Sequence, residues 1–152
     1  MNNVHKTMPV FVFAAAFMFA NSVLAEGEPP VAQNKPLALR AVMKKLGQDM
    51  QATTGAISTE DWALVATLAP KIASHAEPPL TEKVRILSWL GSNAGKFRGL
   101  DHQVHEAASA MGEAAKRNDG QAVIASFAKV QQGCLSCHQG FRKSFMEHFY
   151  EK

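Results

Sequence analysis

Several things are scarce in this 152-residue sequence, and each scarcity closes a class of function. Basic residues form no block longer than a pair such as Lys44-Lys45, so the stripe or recognition motif of a nucleic-acid binder is missing. No glycine-rich phosphate loop, Ser/His/Asp grouping or paired carboxylate stands out, which argues against a hydrolytic or phosphoryl-transfer enzyme. No segment alternates apolar and polar residues as a half-buried strand would. The apolar run Met8 to Ala20 is shorter than the ~20 residues that span a bilayer. There are only two cysteines, and both fall in one short stretch.

That apolar run follows a weakly basic start whose only formal side-chain charge is Lys6, and Asn21-Ser22-Val23-Leu24-Ala25 ends it with small residues. The pattern is that of a secretory signal (1–25) cleaved after Ala25, which predicts export to the periplasm and no membrane span afterwards. Lys6 leaves with it, so the formal charge falls from +3 to +2, the balance of an ordinary solvated surface. Residues 26–36, with Pro29-Pro30, read as a flexible leader. The remainder, 37–152, is long enough for one domain with a proper core.

In that domain the apolar residues keep a helical period. Leu39, Val42, Met43, Leu46 and Met50 predict a first helix from Leu37 to Ala52, opened by Pro36 and stopped by Thr53-Thr54-Gly55. A second helix is predicted from an N-cap at Ser58, through Trp62, Val65, Leu68 and Ile72, with a kink or break at Pro70. Thr81 to Gly91 reads as a short helical turn on the core. A third helix runs from Ser92 or Asn93 to Arg117, carrying Phe97, Leu100, Val104, Ala108 and Met111. Asn118-Asp119-Gly120 makes a tight turn in which Asp119 caps a fourth helix, Gln121 to His148. Short connections between long helices predict an all-α fold, an antiparallel up-down-up-down four-helix bundle.

The two cysteines lie in Gly133-Cys134-Leu135-Ser136-Cys137-His138-Gln139-Gly140-Phe141-Arg142. Cys-x-x-Cys-His is the attachment signature of c-type haem: both thiols add across vinyl groups and the histidine binds iron. A zinc site would need four ligands, and the other histidines form no second Cys/His cluster in the sequence. A thioredoxin-type pair would need a βαβ context. At about 100° per residue, Cys134, Cys137 and His138 share one arc of a helix, which directs the cofactor to the bundle interior.

Fourteen residues follow His138. Met146, about 12 Å further along the same helix, cannot reach the opposite haem face, so a sixth ligand, if there is one, must come from upstream. Met43, Met50, Met111, His75, His102 and His105 are the candidates. Periodicity alone does not separate Met43 as an iron ligand from Met43 as a core gap-filler. Met50 and Met111 read as core, and His102 with His105 as surface polar residues.

With the helical pattern and a haem motif near the C-terminus, the chain resembles the class II c-type cytochromes, the cytochrome c′ family. Cys134 to Arg142 is similar to that family's terminal signature, Ala41-Val42-Met43-Lys44-Lys45-Leu46-Gly47 to its first helix, and Asp61-Trp62-Ala63 with Ala73-Ser74-His75-Ala76 to its second. The resemblance implies one covalent haem c. It also implies either of two kinds of member: high-spin proteins with an open sixth position that bind NO or CO, or low-spin electron carriers with methionine there. Met43 falls on that position. The family often places arginine four residues earlier, near a haem propionate. Here Leu39 stands there and Arg40 is displaced by one, so Arg142, one turn past His138, is the better match for an electrostatic role on the proximal side. Family members often form homodimers through their first two helices.

The expectation is therefore a periplasmic electron-transfer cytochrome, not an enzyme, with His138 and Met43 axial, Cys134, Cys137 and Arg142 holding the cofactor, and redox proteins as partners. The rivals are a gas-binding module with the same haem and a structural or metal-handling bundle without it.

Overall fold

A computed structural model describes residues 36–150. The expected signal segment and nearly all of the leader lie outside the described residues. Six helices follow in order: α1 Ala38–Ser58, α2 Trp62–Ala73, α3 Leu80–Leu90, α4 Ala94–Lys116, α5 Gly120–Cys137 and α6 Lys143–Phe149. A 3-10 turn, Gly91–Asn93, leads into α4, and a single π turn, His138–Arg142, joins α5 to α6. The four long elements α1, α2, α4 and the α5–α6 rod form the predicted four-helix bundle, and no strand occurs among the described residues.

Several helix ends differ from the sequence reading. α1 runs straight through Thr53-Thr54-Gly55, because Thr53 and Thr54 donate their hydroxyls to the carbonyls of Asp49 and Met50, 2.8 and 3.0 Å away. That back-bonding satisfies polar groups that would otherwise compete with the helix, while Thr53 and Ala56 are buried. Tertiary burial thus overrides a weak local stop. Ser58, expected to cap α2, is instead the last residue of α1. Asp61 is the N-cap, its Oδ1 accepting from the Leu64 N–H at 2.9 Å. Pro70 does not end α2, which continues to Ala73 because Ile72 and Ala73 are anchored in the core. Thr81 to Leu90 belongs to a three-turn helix, α3, with Ile86 and Leu90 buried, and Gly91 opens the 3-10 turn that follows.

The two tight turns use the same device. Glu60 and Asn118 both adopt left-handed backbone, with φ of 55° and 54°. In each turn the following aspartate closes the preceding helix, Asp61 N–H donating to Ala56 O at 2.9 Å and Asp119 N–H to Ala114 O at 3.0 Å. The same aspartates then cap the next helix, Asp119 accepting from Ala122 N–H at 3.0 Å as predicted. These turns hold α1 against α2 and α4 against α5 as antiparallel neighbours.

Two apolar clusters result. The larger joins Ala56 of α1, Val65, Leu68 and Ile72 of α2, Val104, Ala108 and Met111 of α4, and Val123 and Val130 of α5. The smaller joins Leu37 to Ile86 and Leu90 of α3 and to Phe141, Phe145 and Phe149. Each large buried side chain there is worth about 1.5–3 kcal/mol. Trp89 adds edge-to-face contacts with Phe145 and Phe149, centroids 5.5 and 5.1 Å apart. Glu82 of α3 ties this end together by accepting from the orphan N–H groups of Ala38 and Leu39, at 2.7 and 2.9 Å.

Candidate functional site

The Cys134-to-His138 stretch falls where the two clusters meet. Cys134 is half-buried and packs on the larger cluster; Cys137 is half-buried and packs on the smaller. Gly133 sets this height, since a Cβ there would stand 2.7 Å from Val104 Cγ2. Only glycine lets α5 approach α4 so closely immediately before the first thiol. Both cysteines are free rather than disulfide-bonded.

Burial raises both thiol pKa values, because the thiolate would lose hydration. For Cys137 burial is the largest cause, the negative charges of Asp101 and of a Cys134 thiolate add to it, and the value reaches about 11. Both groups are therefore neutral thiols at neutral pH.

His138 opens the π turn and is exposed, while Phe141 within the same turn is buried. The sequence period treated Cys134 to Phe145 as one regular α seam; the wider turn was not legible in it. π turns inside α-helices concentrate at functional sites, because they re-aim side chains without ending the helix. Arg142 closes the turn and is exposed.

Met43 is 39% exposed and belongs to neither cluster. On α1, Leu39 packs on the smaller cluster and Leu46 on the larger, so Met43 lies at the height of the cysteines. Val42 and Asp49 line a groove against Lys71, Ser74 and His75 at the end of α2. Met43 is about 100° further round the helix than Val42, on the edge turned away from α2. It is therefore at the rim of the inner face of α1. α2 packs along α4 and α4 along α5, but α1 and α5 touch at few points.

The remaining ligand candidates separate clearly. Met111 is fully buried and Met50 packs on the larger cluster, both as core. His102 is exposed, its Nδ1 3.5 Å from Glu106 Oε2. His75 and His105, distant in sequence, meet with rings 4.8 Å apart and Asp101 between them. Arg40 stands over the Tyr150 ring at 5.7 Å.

The donor set fits a covalent haem. It offers two neutral thiols at helical i and i+3, an adjacent imidazole free of core packing, apolar clusters above and below, and a loosely closed α1–α5 seam beside a thioether. The larger and smaller clusters give such a group apolar walls on both sides.

No helix among the described residues is long and apolar enough to cross a membrane. No curated protein and no solved structure matches the chain. The family model described as Cytochrome C′ matches residues 37–142, from the first residue before α1 to the end of the π turn. By that match, which takes in α1 to α5 and the Cys-x-x-Cys-His motif and stops just before α6, the chain belongs to the cytochrome c′ family, whose members bind covalently attached haem c and carry electrons or bind gases.

Proposed function

We propose that this protein is a periplasmic electron carrier with one haem c, exported by residues 1–25, with no membrane span after their cleavage. Cys134 and Cys137 would hold the cofactor through thioethers, and His138 and Met43 would bind its iron. Haem c bound in this way supplies a one-electron iron couple, and a histidine–methionine pair favours its reduced state.

The protein's own residues do the rest. Each thiol would add its S–H across one vinyl group, so that the proton is retained in the thioether product. The two apolar clusters that flank the thiols would shield the bound group from water, which tunes its potential. Arg142, one turn beyond His138, places a cation on the proximal side and is exposed enough to meet a redox partner. With His138 and Met43 both on the iron, no open position would remain for substrate, the property of a carrier and not of an enzyme.

What supports Met43 most is its placement: it is outside both cores, level with the thiols, and on the α1 edge away from α2. A core gap-filler would sit within a cluster, as Met111 does.

Absorption spectra of the oxidised and reduced protein test this reading. Low-spin, six-coordinate spectra are expected in both states, with conversion to a high-spin, CO-binding form in Met43→Ala. An unchanged Met43→Ala spectrum would remove Met43 from the iron. A high-spin ferrous protein that binds CO without mutation would establish the gas-binding alternative.

A further inference from the structure

We propose that His75, Asp101 and His105 form a second metal site, separate from the iron, that binds a divalent transition ion of the zinc class and clips the end of α2 to α4. The three residues come from distant parts of the chain. His75 follows α2, and Asp101 and His105 are one turn apart on α4. One ligand atom from each lies within 4.8 Å of the others.

The distances favour an ion over a direct pair. His75 Nε2 is 3.6 Å from Asp101 Oδ1, and His105 Nε2 is 3.5 Å from Asp101 Oδ2. Those separations are long for hydrogen bonds. Each is the length of an edge of a tetrahedron whose ligands stand ~2.0–2.2 Å from its centre, roughly 3.3–3.6 Å; the two end on different Asp101 oxygens, so the half-exposed carboxylate would turn to present one oxygen to both imidazoles. Closing the remaining histidine–histidine edge takes a rotation of the His105 ring, whose side chain is 36% exposed.

Two further features belong to a ligand set. His75 is held by a contact of 3.1 Å between Nδ1 and the Ile72 carbonyl. With Nδ1–H donating there, Nε2 keeps its lone pair and is directed at Asp101, the arrangement that fixes a metal-binding imidazole. The His75 side chain is only 12% exposed, so this orientation is set by packing. His105 Nε2 is the one buried side-chain nitrogen or oxygen among the described residues without a hydrogen-bond partner. An unpartnered buried acceptor costs about 1–3 kcal/mol, and coordination would satisfy it.

Two imidazoles and a carboxylate suit zinc, copper or nickel better than calcium or magnesium. Three protein ligands leave a position for water, with Asp101 48% exposed as the side of entry. Nothing in the sequence pattern signals this cluster, because α2 and α4 had to pack before His75 could meet two residues more than a whole helix further along the chain.

Zinc titration of the haem-loaded protein, followed by calorimetry and by thermal unfolding, tests the site. The expected result is a saturable zinc site whose occupancy raises the Tm. His75→Ala and His105→Ala should each weaken it by more than about 100-fold, beyond the 10–100-fold typical of losing an outer-shell partner. Asp101→Asn should weaken it at least about tenfold. His102→Ala, one residue from Asp101 but paired with Glu106, should change nothing. If His75→Ala lowers the helical circular dichroism, His105→Gln carries the test alone, since its half-exposed ring can be replaced without opening the core. The proposal is overturned if the parent protein shows no saturable zinc binding, or if zinc binds the His75→Ala/His105→Ala protein undiminished. It is also overturned if either substitution alters the haem spectrum without added zinc, which would make that histidine an iron ligand. Loss of zinc binding with an unaltered haem spectrum supports it, whatever Met43→Ala does to the iron.

Discussion

Gly133 offers the sharpest test of how α5 is positioned. A Cβ added there would lie 2.7 Å from Val104 Cγ2, with the Val104 backbone N and Cα at 3.8 and 3.9 Å. Carbon atoms pack at about 3.5–4.0 Å, so Gly133→Ala must open a gap of roughly 1 Å. Valine in a helix has essentially one χ1 rotamer, so Val104 cannot swing clear; α5 must move instead, and Cys134 is the next residue. Overpacking of this kind costs about 1–3 kcal/mol. Val104→Ala alone removes buried methyl groups, worth ~0.8 kcal/mol each, and leaves a cavity. If the clash is the cause, the double substitution recovers part of the loss, because the methyl added at position 133 fills the space that Val104 vacates. A favourable coupling of about 1–2 kcal/mol is expected from the double-mutant cycle. The assay is denaturant unfolding of all four haem-loaded proteins by far-ultraviolet circular dichroism, with unchanged m-values required for the comparison. Strict additivity, or a Gly133→Ala protein as stable as the parent, would refute the close approach. Gly140→Ala is the control: no neighbouring side chain lies within 4 Å of where its Cβ would stand, so packing offers no objection to it.

Three further outcomes are expected. Glu82→Ala strips the caps from Ala38 and Leu39 N–H and should cost about 1–2 kcal/mol in denaturant unfolding; an unchanged midpoint would count against the tertiary cap. Glu60→Gly relieves a left-handed residue and should leave the stability unchanged or raise it by up to about 1 kcal/mol; a clear loss would count against that backbone. Before haem attachment, Cys137, pushed up to about 11, should alkylate with iodoacetamide at pH 8 more than about tenfold slower than an unhindered thiol. The linkage has a definite sign: the raised value favours folding of the haem-free chain below the unfolded thiol's pKa of about 8.5. That contribution is lost as pH climbs towards about 11. Alkylation at the rate of a free cysteine would contradict it.

Much of the fold was legible because it depends on local chemistry. The period of Val104, Ala108 and Met111 marked α4, and Asn118-Asp119-Gly120 marked the turn and its cap. Helix ends were less legible. Thr53-Thr54-Gly55 has the composition of a stop, but it continues α1 because its hydroxyls bond back to the helix and Thr53 is buried. Thr81 to Gly91 reads as a short helical turn on the core, and its length of three turns was not legible, because Ile86 and Leu90 gain their apolar partners only in the phenylalanines of α6 and the π turn.

The chemistry of the principal site was already written in the residue order, since Cys134-x-x-Cys137-His138 is a covalent signature whose spacing on one helix suffices to state what it attaches. So was the class of fold, because helical periodicity is a property of neighbours three and four apart. Three-dimensional packing was needed to place the motif between two apolar clusters, to open a π turn at His138, and to set Met43 at the rim of α1 and not within the core. Packing alone brought His75 to Asp101 and His105. The difference is one of range: a spacing rule reaches one helical turn, whereas a cluster drawn from α2 and α4 exists only after burial of their apolar faces has fixed the two helices side by side.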